Sequence, residues 1–359
     1  MAPQHETRTT DAPDPEKHQE RKLSYPTETP SVEGVPAPED SKGWNRERVI
    51  NLLIRNAMVI VLLIVMVFFA LRNDRFLSVA NARTILIAAA PFALVALGQT
   101  IVILTGGIDL SVGSVIAVSA MSGAWMAVNY PDMVWLGIIV AILVGTFVGL
   151  INGLVISRLN VAPFVATLGT LTAASGFAYV IGGGAPINGL PESFGTIANT
   201  RVLGLQLPVF FMIAGFVILG IVMRYTAWGL RVYSVGGNRT AAEVAGVNAK
   251  NMLTSVYVLS GMLAGISGIV LASRVISGPP NLGKGYELFA IAAVVIGGAS
   301  LMGGRGTVWG TLVGLLLIQT LNNGLDILVV PAYWQAVISG VLIVAAVAVD
   351  MWASRRSSS

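Results

Sequence analysis

The sequence predicts an all-α, polytopic integral membrane protein with about ten transmembrane helices, and three observations carry that prediction. Of the 359 residues, 55% are hydrophobic and 11% are charged, whereas a soluble domain carries roughly 25% Asp, Glu, Lys and Arg. The charges are also unevenly placed: residues 1 to 49 hold 10 of the 18 acids and 7 of the 22 bases, so an acidic tail precedes a sparsely charged, basic body. Finally, the gaps between charges recur at membrane length. A helix needs about 20 apolar residues to cross a bilayer core of about 30 Å, and a charge at its centre costs several kcal/mol.

Taken in order, residues 1 to 48 form a cytoplasmic tail. With Pro at 3, 13, 15, 26, 30, 36 and 38 and many Glu, Thr and Ser, this segment buries too little apolar surface to fold and is expected to be disordered. Residues 49–352 form the transmembrane domain. Its charge-free stretches run 56 to 71, 84 to 108, 110 to 131, 133 to 157, 159 to 191, 202 to 223, 251 to 273, 288 to 304, 306 to 325 and 327 to 349. The first extends backwards if Arg55 snorkels to the interface. The fifth is expected to end as a helix near Ile181, before Gly182, Gly183, Gly184 and Pro186. Residues 353–359 are a short C-terminal tail. An even count puts both termini on one side, and a cytoplasmic placement leaves 16 Lys and Arg inside against 6 outside, in the direction of the positive-inside rule.

Glycines spaced four apart mark close helix contacts: Gly145, Gly149 and Gly153, then Gly306, Gly310 and Gly314, with Gly261 and Gly265 in a third span. Such stripes let two backbones approach in lipid.

Composition excludes several functions. No cysteine is present, and His5 and His18 both lie in the tail, so the body has no thiol nucleophile, Cys-bound metal or histidine relay. Its few bases make no continuous phosphate-binding surface, which argues against nucleic acid. Residues 278–285 (GPPNLGKG) match a phosphate-binding loop except at the last position, where Gly285 replaces the Mg²⁺-holding Ser or Thr. That segment is expected to be a turn-rich external loop, and the chain shows no ATPase motif of its own.

The inner segment 224–250 is the main soluble feature. Thr240 followed by Glu243 reads as a capping box, and Gly246 is placed to stop the helix in a left-handed conformation. Asp109 is the one acid enclosed by two long apolar stretches. The preceding Gly106-Gly107 pair suggests a helix break, and Asp109, with Ser111 after it, is expected to cap the next helix at the cytoplasmic edge. Uncharged polar residues within the spans are the pathway candidates: Gln99, Thr100, Asn152, Thr167, Thr170, Thr172, Gln319, Asn322, Asn323 and Gln335. Buried amides and hydroxyls must find partners in another helix or a wet cavity, and together they favour a neutral, hydroxyl-rich solute over an ion.

Residues 104–114 (LTGGIDLSVGS), 236–247 (GGNRTAAEVAGV), 285–310 (GYELFAIAAVVIGGASLMGGRGTVWG) and 319–324 (QTLNNG), in this order, resemble the ribose, xylose and arabinose type permease subunits of bacterial ABC importers. The resemblance spans roughly residues 50 to 352. It implies the ABC importer permease fold in the cell membrane and transport of a monosaccharide, a ribose-like pentose or related sugar. It further implies three partners: a cytoplasmic ATPase that uses ATP and Mg²⁺, an external sugar-binding protein, and a second permease copy. No cofactor is implied for this chain. The family's coupling segment, which docks on the ATPase, matches Asn238, Arg239, Thr240, Ala241, Ala242, Glu243 and Gly246. A nucleoside or other small polar cargo is an alternative within the family. An ion-coupled secondary transporter would need deep titratable groups, of which only Asp109 is a candidate. A membrane-embedded enzyme would need a catalytic pair that the spans lack. The stretch 104–114 also echoes 301–311 (LMGGRGTVWGT), a hint of internal repetition.

Overall fold

A computed structural model describes residues 57–341 together with Val344 and Ala348. The tail at 1 to 48 and the C-terminal residues 353–359 lie outside the described residues. Each of the ten charge-free stretches contains a helix. They are α1 (Ala57–Arg72), α2 (Val79–Leu104), α3 (Val112–Asn129), α4 (Val134–Arg158), α5 (Pro163–Ile181), α7 (Leu207–Tyr225), α10 (Ala249–Val275), α11 (Tyr286–Ile296), α12 (Val308–Ile327) and α13, helical over 332–341 and at 344 and 348. Between them lie α6 (Glu192–Asn199), α8 (Ala227–Gly237), α9 (Arg239–Val244) and a two-stranded hairpin, β1 (Arg201–Val202) with β2 (Leu205–Gln206). Among the described residues, seven helices are long and apolar enough to cross a membrane, with α1 and α11 shorter.

Helix ends follow local chemistry. The hydroxyl of Ser78 accepts from the Asn81 N–H at 3.2 Å, which starts α2 before Arg83 rather than after it. Pro163 and Pro208 each sit in a first turn, where the missing N–H costs nothing. The fifth stretch ends its helix at Ile181 as expected.

The centre of the molecule is α2, α3 and α10. The second half of α2 is buried almost continuously from Ala89 to Leu104. By contrast α4, α5 and α7 expose Phe147, Phe177 and Ile218, the surface a lipid-facing helix presents. α4 and α10 meet along the predicted glycine stripe. A Cβ at Gly145 would strike the Gly261 carbonyl, and one at Gly149 the carbonyl of Tyr257, so only backbone separates the two axes. The second stripe is corrected in part. Gly310 and Gly314 face Gly297 and Ala293 of the α11 end, but Gly306 precedes α12, with φ +142, against Ala299.

Two expectations about depth are overturned. The eighth stretch is not one long helix: α11 has 11 residues, about 16 Å at 1.5 Å per residue, and the Gly297-Gly298 turn and the 299–307 loop follow it. Nor is 278–285 a purely external loop. Gly278 pairs antiparallel with Ile187, and further along, the Gly283 carbonyl and a Glu287 carboxylate oxygen abut Gly113 at the start of α3. The segment therefore dips inward, and α11 starts beside the middle of α2, with Tyr286 stacked on Phe92 at 3.7 Å between centroids.

Candidate functional site

Asp109 lies in the non-helical segment between α2 and α3 and is 1% exposed. Its Oδ1 accepts from the Ser111 N–H at 3.0 Å and from the Ser111 hydroxyl at 2.6 Å. Its Oδ2 accepts from the hydroxyl of Ser260 at 3.0 Å, near the middle of α10. The network continues outward. The Asn152 amide donates to Ser111 Oγ at 2.9 Å, and the Thr170 hydroxyl donates to Asn152 Oδ1 at 2.6 Å. Gln99, with its amide turned to satisfy both ends, donates to the Asp109 carbonyl at 3.1 Å and accepts from its N–H at 3.3 Å. The hydroxyl of Thr167 donates to the Ile108 carbonyl at 3.2 Å. One acid thus joins α2, α4, α5 and α10. This corrects the placement at a membrane edge: Asp109 does accept an N–H beside the start of α3, but inside the helix bundle. A fully bonded buried network holds its members in one arrangement.

A cleft lies on each side of this network. One, of about 260 Å³, is lined by Thr105, Gly106, Gly107, Asn160, Arg239 and Tyr257. It lies on the side that carries α8 and α9. The Tyr257 hydroxyl is buried without a hydrogen-bond partner among the described residues, and a Cβ at Gly107 would strike it. The other cleft, of about 290 Å³, lies between α3, α5 and the 280–287 segment, with Gly113 and Ser114 lining it nearest the network. The Ser114 hydroxyl donates to the Ser111 carbonyl at 2.8 Å.

The 224–250 segment reaches the turn that precedes Asp109 through glycine. Gly304 N–H donates to the Leu104 carbonyl at 2.9 Å. A Cβ on Gly236, at the end of α8, would strike that same carbonyl and the Gly304 nitrogen, and one on Gly303 would strike Gly106 and Gly236. The Gly-Gly turns of the two similar stretches, 104–114 and 301–311, therefore meet backbone to backbone, with Gly236 packed on both. Tyr233 of α8 adds a hydrogen bond to the Gly306 carbonyl at 3.0 Å, and burial pushes its phenol up.

Immediately after this junction comes α9. Asn238, not Thr240, is its cap: Asn238 Oδ1 accepts from the Ala241 N–H at 2.9 Å. Glu243 does not complete a capping box but accepts from Arg239 Nε at 3.1 Å on an exposed face. The reason is positional, since Asn238 is already extended and starts the helix two residues earlier. Gly246 ends the turn at φ +86 as expected. Asn238, Arg239, Thr240, Ala241, Glu243 and Gly246 are exposed, and Ala242 is buried. Val244 is 86% exposed.

The remaining pathway candidates separate. Thr100 shares a hydrogen bond of 2.8 Å with Thr311 of α12. Asn323 exchanges reciprocal 2.9 Å amide bonds with Asn81. Gln319 is buried and Asn322 half-buried on the same helix, α12. Gln335 donates to Asp326 at 2.7 Å. Thr172 is exposed and bonds within its own helix, which removes it from the interior. Sequence reasoning missed Ser260, Tyr257, Thr311 and Asn81. A single hydroxyl or amide in an apolar helix carries no spacing signal, and only the fold reveals its partner.

Residues 81–347 match the family described as branched-chain amino acid transport system / permease component. The ribose import permease protein of Bacillus subtilis (strain 168) is 43% identical over 291 residues, which cover 80% of this chain and 90% of that protein. The galactose/methyl galactoside import permease protein of Haemophilus influenzae is 38% identical over 318 residues, covering 84% and 95%. The D-allose transport system permease protein of Escherichia coli (strain K12) is 35% identical over 296 residues, covering 82% and 91%. No solved structure matches.

Proposed function

The chain belongs to the branched-chain amino acid transport system / permease component family, within its ribose-type ABC permeases, and we propose that it carries a monosaccharide into the cell. The observation that carries this reading is similarity along the whole membrane body to permeases named for three different sugars. The buried network supports it, because hydroxyls and amides rather than paired charges occupy the interior. ATP and Mg²⁺ are used by a separate cytoplasmic ATPase, and an external binding protein delivers the sugar to a pair of permease copies. Both termini face the cytoplasm.

The clefts on either side of the Asp109 network are the two access routes of an alternating cycle, and that network is the closed gate between them. Residues 238–246 are the docking segment for the ATPase. The support is their exposure, their position between two caps, and their direct continuity with Gly236, which rests on the end of α2. A push on α9 therefore reaches the Asp109 segment through backbone, with no flexible side chain between. The Gly106, Gly107, Asp109 and Ser111 break is the part that moves.

Uptake of labelled ribose, galactose and allose by cells with and without the gene tests the class. The expected result is gene-dependent uptake of at least one sugar that stops on ATP depletion and survives collapse of the proton gradient. Uptake that survives ATP depletion and falls with the gradient makes the chain an ion-coupled transporter instead. Uptake of amino acids alone replaces the cargo.

A further inference from the structure

The second cleft has a lining that the coupling mechanism does not use. Ser114 of α3, Ser175 and Tyr179 of α5, and Asn281, Lys284 and Glu287 of the re-entrant segment surround about 290 Å³. Small-ligand sites occupy about 300–1,000 Å³, so this space is at the small end and suits one compact molecule. One carboxylate oxygen of Glu287 accepts from the Gly285 N–H at 3.2 Å. The other lies over Gly113, at a position that a side chain there would occupy, and the Glu287 backbone N–H also bonds the carboxylate. A carboxylate has about four acceptor sites, so two backbone N–H donors leave it capacity to accept from a molecule in the cleft. Lys284 supplies the opposite charge, which leaves the lining near neutral and disfavours an ion of either sign. Two hydroxyls, an amide and a tyrosine complete a set of donors and acceptors matched to a polyol. The cleft floor is continuous with the Asp109 network through the bond from Ser114 to Ser111.

We propose that this cleft is a monosaccharide-binding site within the permease itself, in which Glu287 takes sugar hydroxyls on its remaining carboxylate acceptor sites and Asn281 and Ser175 contact the other hydroxyls. The inference rests on the monosaccharide reading above and deepens it: the permease, and not only its binding protein, discriminates among sugars.

The absence of cysteine from the sequence makes the test direct, since one introduced cysteine is this chain's only thiol and its labelling is read on the permease after separation from its partners. Asn281→Cys places it on the cleft, and Leu203→Cys, at a position 91% exposed and outside the cleft, serves as the control. Both are made in the full complex with its ATPase and binding protein, purified in nanodiscs, and reacted with a maleimide while ribose, galactose or allose is titrated at constant osmolarity. The expected result is that an imported sugar slows labelling of Asn281→Cys by about tenfold at roughly ten times its dissociation constant. Leu203→Cys is unaffected, and Glu287→Gln added to Asn281→Cys abolishes the protection at normal membrane yield. An imported sugar that gives no protection, or protection that survives Glu287→Gln, overturns the site and leaves the importer reading standing. A complex that imports none of the three sugars overturns the monosaccharide reading and the site with it. Labelling of intact cells by an impermeant maleimide separately reads which face the cleft opens on.

Discussion

The backbone N–H of Gly304 donates to the carbonyl of Leu104 at 2.9 Å, and this one bond joins the last residue of α2 to the turn that precedes α12. Gly236 packs on both partners. The proposed docking segment begins two residues later, at Asn238, and the Asp109 network begins five residues after Leu104. The shortest path from residues 238–246 to the buried acid is therefore main chain.

Gly236 and Gly237 are adjacent and chemically identical but differ in surroundings. A Cβ at Gly236 would meet the Leu104 carbonyl, whereas one at Gly237 would meet nothing within 4 Å. Gly236→Ala is expected to force the junction apart, at a cost of roughly 1–3 kcal/mol for overpacking, and to reduce uptake at least tenfold. Gly237→Ala is expected to transport like the parent. Comparing sugar uptake at matched membrane yield checks the pair.

At Asp109 the charge and the shape are separable. Asp109→Asn keeps one acceptor oxygen and is expected to fold with weakened transport. Asp109→Leu strands Ser111, Ser260 and the Asn152 chain behind them. Each orphaned buried group costs roughly 1–3 kcal/mol, so the Leu variant is expected to lose several kcal/mol and to melt well below the Asn variant. Thermal unfolding of the purified chain in detergent, followed by tryptophan fluorescence, measures this.

The α4 and α10 contact gives a packing prediction. Gly149→Ala places a methyl group against the Tyr257 carbonyl, while Gly176→Ala on α5 meets open space. The first is expected to lower the yield of folded protein severalfold. The second is expected to be neutral, or stabilising by about 0.5–1 kcal/mol from reduced chain entropy. Fluorescence-detected size exclusion of the solubilised protein distinguishes them.

On the proposed docking segment, Glu243→Arg reverses an exposed charge and sets it against Arg239, and Gly246→Pro removes both the left-handed stop at φ +86 and the N–H that donates to the Glu243 carbonyl. Neither residue supports the membrane core. Both variants are expected to insert normally and to abolish transport, as read by uptake beside a membrane-fraction immunoblot. Asn238→Ala, which removes only a cap worth about 1 kcal/mol, is expected to have a smaller effect.

Charge spacing made the transmembrane body legible because lipid penalises every charge alike, and the Gly145, Gly149 and Gly153 stripe showed where two helices touch. The C-terminal end of α5 and the left-handed Gly246 were equally readable, since each depends on local chemistry. Depth was not. Asp109 looked like an edge residue because nothing within seven residues of it distinguishes a surface break from one folded back among α4, α5 and α10. For the same reason the 278–285 loop, rich in Gly and Pro, gave no sign that it dips to Gly113. Its contacts are with α3, some 170 residues earlier in the sequence, and no local rule contains them. The cap at Asn238 was missed because Thr240 and Glu243 satisfied a motif that the extended Asn238 backbone pre-empts.

The most direct test of the account is paired measurement of ATP hydrolysis and sugar uptake by the complete complex in proteoliposomes, for the parent and for Gly236→Ala. The parent is expected to import sugar only when ATP and the binding protein are both present, with no dependence on an ion gradient. Gly236→Ala is expected to keep hydrolysing ATP while uptake falls at least tenfold. Uptake without ATP contradicts the transport class, and a Gly236→Ala complex that couples hydrolysis to uptake like the parent contradicts the backbone link from the docking segment to Asp109.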